Sequence, residues 1–319
     1  MKTKTIKKII ETKFNDFVDS ITDDNTQLLV RKNSMITGGC IASMFRDEKV
    51  NDFDIYFTNK ETVLAVANYY AKQSIHQATV VDVDLLDDRD KEFYAEHGIF
   101  SEGRIAIYCE ATKQASTMPQ DEDQEMINIM LGSDESKPLP EEIKDTDNNT
   151  KYKLQYISPN AITLSHKIQL IIRFYGSPEQ IHENYDFIHC TNYWLSNNDQ
   201  GKPELVLKQA ALESILTKEL RYIGSKYPLA SLLRVKKFLL RGWTITAGQQ
   251  LKMMYQVSEL DLNDIPTLED QLVGVDVAYF MALVQALRNM QKAHEQEIKT
   301  GTFKIDQLYL FSLIDRIFS

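Results

Sequence analysis

The sequence predicts an α+β protein: an N-terminal mixed β-sheet flanked by helices, followed by an all-helical C-terminal region. Three observations predict it. Residues 52–57, DFDIYF, alternate polar and apolar side chains and are rich in aromatic and β-branched types, the pattern of a strand. Further strand-like runs occur at 79–83, 104–109, 152–157, 162–164 and 167–174. From about Leu205 onward the apolar period becomes that of a helix, with segments at 205–223, 228–240, 246–257, 267–298 and 304–318. A head over residues 1–200, with an acidic insert around 114–150, and a helical domain over 201–319 are the expected units.

The elements follow in order. Ile6, Ile9, Ile10, Phe14, Phe17 and Val18 recur at helical spacing, so 5–22 reads as a first helix. Residues 27–30 read as a short strand. Gly38-Gly39 then makes a turn, 41–45 a helical turn, and 46–51 a charged turn before the 52–57 strand. Thr58-Asn59-Lys60 caps a helix at 61–73, with Val63, Val66, Ala67 and Tyr70 facing inward. Between the strands at 79–83 and 104–109 lies a charged connection, 87–90. Residues 121–150 are acidic, carry Pro138 and Pro140 and have little apolar content, which predicts an exposed, disordered insert. The strands at 152–157, 162–164 and 167–174 belong to the same sheet. Pro178 opens a helix-like segment, 179–182, ahead of the aromatic run NYDFIHCTNYWL at 184–195.

Composition narrows the class. The chain has 319 residues, 43% of them hydrophobic, and a net charge of −10. That charge disfavours broad, non-specific nucleic-acid binding, which depends on neutralising phosphates, but not an RNA held by a local basic patch. No apolar run reaches the ~18–20 residues that a membrane helix needs. The basic N-terminus continues as an amphipathic helix rather than a signal peptide. Cys40, Cys109 and Cys190 stand in no metal-binding spacing, so reduced thiols and a cytoplasmic location are expected.

The chemistry concentrates in residues 35–59. On a strand, Asp52 and Asp54 project from one face, with Phe53 and Ile55 behind them. Two adjacent carboxylates stay ionised at low cost only with a cation between them. Asp oxygens suit Mg²⁺, which usually shares its shell with substrate phosphates and water. Gly38-Gly39 lets backbone approach a ligand closely, and the turn of helix after it aims N–H groups at an anion. The stretch thus offers a phosphate cradle and a metal pair.

Gly-Gly, a short helix and Asp-x-Asp on a strand resemble the nucleotidyltransferase motif of the DNA polymerase β superfamily. The wording GGCIASMF…VNDFDIYFTN is most similar to the head of bacterial-type CCA-adding enzymes and poly(A) polymerases. Segments at 168–173, 184–187 and 211–245 track that family's later strand, its nucleotide-binding segment and its neck. The chain departs where the family has Val-Arg-Asp after Gly-Gly (Ile41-Ala42-Ser43), paired arginines (Asn184, Tyr185) and a frequent strand acid (Gln169). It also has no clear match to the base-selecting helix.

The resemblance implies transfer of NMP from an NTP (ATP or CTP) to an RNA 3′ end such as that of tRNA. Asp52 and Asp54 would be catalytic and hold Mg²⁺ or Mn²⁺. A third carboxylate would come from Glu110, Asp82 or Asp84. Gly38 and Gly39 would bind the nucleotide, with Arg173 contacting phosphate or base and Asp186 accepting from a ribose hydroxyl. Arg234, Lys237 and Arg241 fall on one face of the 228–241 helix, which in the family lies beside the triphosphate. The plainer alternatives are a structural ion pair for Arg173, a helix cap for Asp186 and a solvated face for the three cations. Rival readings of the whole are a catalytically degenerate binding module, and nucleotidylation of a protein or small molecule.

Overall fold

The computed structural model describes residues 1–74, 78–95, 99, 103–109 and 151–262, together with positions 267, 271, 308, 311, 312 and 315. The acidic insert, Glu110 and, apart from those single positions, the helices expected at 267–298 and 304–318 lie outside the described residues. Within them, the chain passes from a first compact unit to a second at Ile223–Gly224.

The first unit opens with α1 (Thr3–Asp19), whose Ile6, Ile10, Phe14, Phe17 and Val18 recur every three or four residues and are buried. Residues 27–30, expected as a strand, instead lie inside α2 (Asp24–Lys32). The Asp23 carboxylate accepts from the Thr26 N–H at 2.8 Å and caps this helix, and Thr26 and Val30 turn inward at i, i+4 while Leu28 is exposed. The strand comes later, as β1 (Ser34–Thr37). Then follow α3 (Gly39–Phe45), β2 (Phe53–Phe57) and α4 (Lys60–Ala71). Asn59 caps α4 by accepting from Thr62, and Val63, Val66, Ala67 and Tyr70 are buried as expected.

β3 (Ala78–Asp82) and β4 (Ile105–Cys109) pair as a separate antiparallel ribbon, with α5 (Asp88–Ala95) between them in sequence. β5 (Leu154–Ile157), β6 (Ala161–Leu164), β7 (Ile168–Tyr175), α6 (Pro178–His182) and β8 (Tyr193–Leu195) come next. The helix expected at 205–223 is not continuous. It begins with β9 (Glu204–Val206), which pairs with β8, and α7 (Gln209–Thr217) ends at Lys218 in a left-handed conformation. Edge pairing satisfies the backbone of 204–206, so tertiary context overrides the helical period there.

The main sheet has seven strands in the order β5-β6-β7-β2-β1-β8-β9. Only β2 and β7 run parallel; the other neighbours are antiparallel, which makes the sheet mixed. Alternation divides its faces. Ile36, Phe53, Ile55, Phe57, Leu170 and Trp194 join α1 and α4 in the principal core. Met35, Tyr56, Ile171, Tyr193 and Leu195 meet Ile181 and Tyr185 on the opposite face. The second unit contains α8 (Pro228–Leu240) and α9 (Ala247–Val257), in agreement with the helices expected there. No helix among the described residues is long and apolar enough to cross a membrane.

Trp194 carries the far side of the core: it is 1% exposed and its ring centroid lies 4.9 Å from that of Phe14. Trp194→Ala is expected to cost about 3–5 kcal/mol, the range for deleting a buried large aromatic. Urea unfolding followed by circular dichroism checks this.

Candidate active site

β1, α3 and β2 build the site. Thr37, the last residue of β1, pairs with Asp54 on β2, and Asp54 pairs on its other side with Gln169 on β7. The chain leaves β1 through Gly38, at φ 88° and ψ −153°, a conformation that side chains with a β-carbon disfavour. A β-carbon there would stand 3.1 Å from Asp54 Oδ2 and 3.5 Å from the Tyr185 hydroxyl. The backbone therefore favours glycine, and a β-carbon would also crowd the end of the Asp54 side chain. Gly39 starts α3 with no such crowding.

Phe53 and Ile55 are buried in the principal core, so Asp54 projects to the other face, where Tyr56 also lies. Asp52 stands exposed, immediately before β2. Asp54 and Gly38 are thus brought together, and Asp52 precedes Asp54 by two residues. Among the described residues, no group of three or more His, Cys, Asp or Glu side chains is placed to hold a metal ion. The pair still suits an Mg²⁺ or Mn²⁺ ion that takes its remaining ligands from phosphate and water.

The third-carboxylate candidates that are described point elsewhere. Asp82 and Asp84 both bind the Lys60 ammonium, at 2.8 and 2.9 Å, and raise its pKa through these hydrogen bonds. Lys60 follows the end of β2 opposite to Asp52. The position beside Asp54 holds the neutral amide of Gln169. Arg173 is buried on β7 four residues beyond Gln169, about 13 Å along the strand. Its guanidinium lies 5.3 Å from the Phe174 ring centroid. Asp186 is buried, and its backbone carbonyl accepts from the Ile223 N–H. Arg234 and Lys237 lie on α8 and Arg241 caps it, in the second unit.

The structure adds groups that sequence reasoning missed. Tyr185 stands where the resemblance predicts an arginine. It shares a hydrogen bond with Tyr56, and its phenol is held well above the usual range, first by burial and then by Tyr56 and Asp54. A protonated hydroxyl thus sits beside the Asp54 carboxylate. Next to it, His182 bridges Thr37 and Lys208: Nε2 lies 2.9 Å from Thr37 Oγ1, and Nδ1 lies 3.3 Å from Lys208 Nζ. An ammonium only donates, so Nδ1 accepts and Nε2 carries the proton. Thr37 then accepts from His182 and donates to the Asn192 carbonyl, 2.9 Å away. Burial, aided by Lys208, lowers the His182 pKa to about 4, with Glu179 opposing. Buried among Thr37, Gly39 and Asp54, Cys40 has its thiol pushed up by burial and then by Asp54, so it is no ready nucleophile.

Two outcomes follow from this geometry. In the unfolded chain His182 titrates near its ordinary value of 6.5, and in the folded chain near 4. Between those values the unfolded state binds the extra proton, so stability falls as pH drops from 6.5 toward 4 and is fully present above 6.5. His182→Gln should flatten that slope by roughly 2–3 kcal/mol, measured by urea unfolding at several pH values. Gly38→Ala should destabilise by about 1–3 kcal/mol, because it combines a left-handed strain with crowding against Asp54. The same unfolding assay at pH 7 checks it.

The comparisons with known proteins can be set beside this geometry. No match was found among curated proteins. Among solved structures, the Thermotoga maritima CCA-adding enzyme complexed with tRNA is 11% identical with a TM-score of 0.37, over 87% of this chain and 53% of that one. A tRNA-processing enzyme with CTP is 12% identical with a TM-score of 0.35, over 82% and 53%. The Bacillus stearothermophilus CCA-adding enzyme in complex with CTP is 10% identical with a TM-score of 0.33, over 86% and 51%. The chain spans about half the length of these structures. The model of the Gabija anti-defense 2 family, Gad2, matches residues 8–218, which run from α1 to the end of α7 and include every residue of the site in the first unit. The chain belongs to the Gad2, Gabija anti-defense 2, family.

Proposed function

We propose that this chain is a metal-dependent nucleotidyltransferase that moves NMP from an NTP to an RNA 3′ end, and that this transfer is how it counters the Gabija defence named in its family. The observation that carries the reading is the close approach of Asp54, two residues after Asp52, to the Gly38 backbone at the end of β1. In the reaction, the acceptor 3′ oxygen attacks the α-phosphorus, a new P–O ester bond forms, and the bond to pyrophosphate breaks. Asp52 and Asp54 would hold Mg²⁺ or Mn²⁺, which when bound offsets phosphate charge and acidifies the acceptor hydroxyl. Gly38 and Gly39 give the triphosphate a close approach to backbone. Tyr185 keeps its proton beside Asp54, while His182 and Lys208 fix Thr37 and with it the end of β1.

An NTP brings about four negative charges to a site that already holds two carboxylates, so its binding needs cations. Arg234, Lys237 and Arg241, on the helix that the family resemblance assigns to the triphosphate, are our candidates, with Arg173 and Asp186 as further nucleotide contacts. Arg234→Ala or Lys237→Ala should weaken NTP binding about tenfold with little change in melting temperature, as the loss of a charge-assisted contact implies. Calorimetry with Mg²⁺ measures it; unchanged affinity in the triple variant returns these residues to a solvated face.

Gln169 favours a second reading. Without an acid beside Asp54, the fold would bind nucleotide or partner and transfer nothing. The deciding experiment incubates the protein with each labelled NTP, Mg²⁺ or Mn²⁺, and total RNA. Label in RNA 3′ ends, lost in Asp52→Ala and Asp54→Ala while circular dichroism is unchanged, supports the transferase. Label on a protein or small molecule moves the acceptor, and no label from any NTP leaves the binding module.

A further inference from the structure

A groove lies on the other side of the main sheet from Asp54. It runs between α1 and the turn joining β6 to β7, has a volume of about 380 Å³, and is lined by Lys8, Lys13, Lys151, His166, Tyr152 and Asp16 among others. Three lysines and a histidine face one carboxylate, in a chain whose net charge is −10. Lys151 is engaged with Asp16 at 2.6 Å. Lys13 donates to the His166 carbonyl and lies 5.2 Å from the Tyr152 ring centroid. Burial, and then Lys151, lowers the Lys13 pKa, with Lys167 acting in the same sense and Asp16 opposing. The turn itself keeps this charge in place. His166 and Lys167 both have left-handed backbone, at φ 60° and 63°, where asparagine and glycine are the usual choice. The Lys167 ammonium reaches the Val50 carbonyl at 2.7 Å and completes the cationic cluster.

Asp16 alone leaves this cluster with positive charge in excess, and an anion bound between Lys8, Lys13 and Lys151 would offset it. The groove is larger than an inorganic ion needs, at the lower end of the ~300–1,000 Å³ typical of small-molecule sites, and its floor includes Ile9 and Tyr152. We propose that it is a binding site for a small phosphate monoester, with the phosphate on Lys8, Lys13 and Lys151 and the organic portion against Ile9 and Tyr152. The site stands apart from the transfer reaction, and its ligand needs no metal.

The probe is AMP, titrated into the full chain in EDTA-containing buffer at constant ionic strength, with the His166 ring followed by NMR. His166→Asn, which suits the left-handed backbone, assigns that resonance. A saturable His166 shift is expected, at least tenfold weaker in the Lys8→Gln/Lys151→Gln double variant and unchanged in Asp54→Asn. Both lysines of the double variant are exposed, so its fold should persist, and its circular dichroism checks that. A shift that rises linearly, that chloride reproduces at the same ionic strength, or that survives in the double variant would overturn the proposal. Inorganic phosphate binding as tightly as AMP would overturn the assignment of an organic portion.

Discussion

Asp54 Oδ2 would lie 3.1 Å from a β-carbon on residue 38, closer than neighbouring atoms accept without moving. That close approach is the constraint on which the rest depends. It favours glycine, as does the positive φ of residue 38, and it sets the end of β1 against the acidic face of β2. It also requires the elements around it to hold position, because a strand pair that slipped by one residue would turn Asp54 into the core. Thr37 is accordingly held at both ends. Its backbone pairs with β2 and β8, and its hydroxyl is fixed by His182 and the Asn192 carbonyl.

The sheet serves two purposes through its two faces. Phe53, Ile55 and Phe57 anchor β2 in the principal core with α1 and α4. The intervening positions, Asp54 and Tyr56, are thereby committed to the face that carries Tyr185 and His182. A partly polar face of this kind costs stability unless its groups are satisfied. The Lys208–His182–Thr37 chain satisfies them at the price of a histidine kept neutral, hence the expected loss of stability in mild acid.

The turn at Gly38-Gly39 and the strand that carries Asp54 were legible because they lie within some twenty residues and one alternation of a strand. The cap at Asn59 and the helix start at Pro178 were legible for the same reason: each acts on its own helix. Residues 27–30 were misread because four apolar-rich positions fit a strand or a helix equally; the capping Asp23 was the signal that separates them. β8 and β9 are three residues each, too short for alternation to declare itself. His182 could not be placed, since its contact with Thr37 spans 145 residues of chain. Tyr185 was visible only as a departure from a resemblance. Its place beside Asp54 depends on α6 folding back over the sheet, which no local pattern encodes.

The central claim is that Asp52 and Asp54 form a metal site completed by a nucleotide. Titration of Mn²⁺ by electron paramagnetic resonance, with and without ATP, tests it most directly, because it reads the ion rather than any acceptor. The account predicts Mn²⁺ bound by the wild-type chain in the presence of ATP and lost in Asp54→Asn, with weak binding in the absence of nucleotide. Equal Mn²⁺ binding by the wild type and Asp54→Asn in ATP would contradict it.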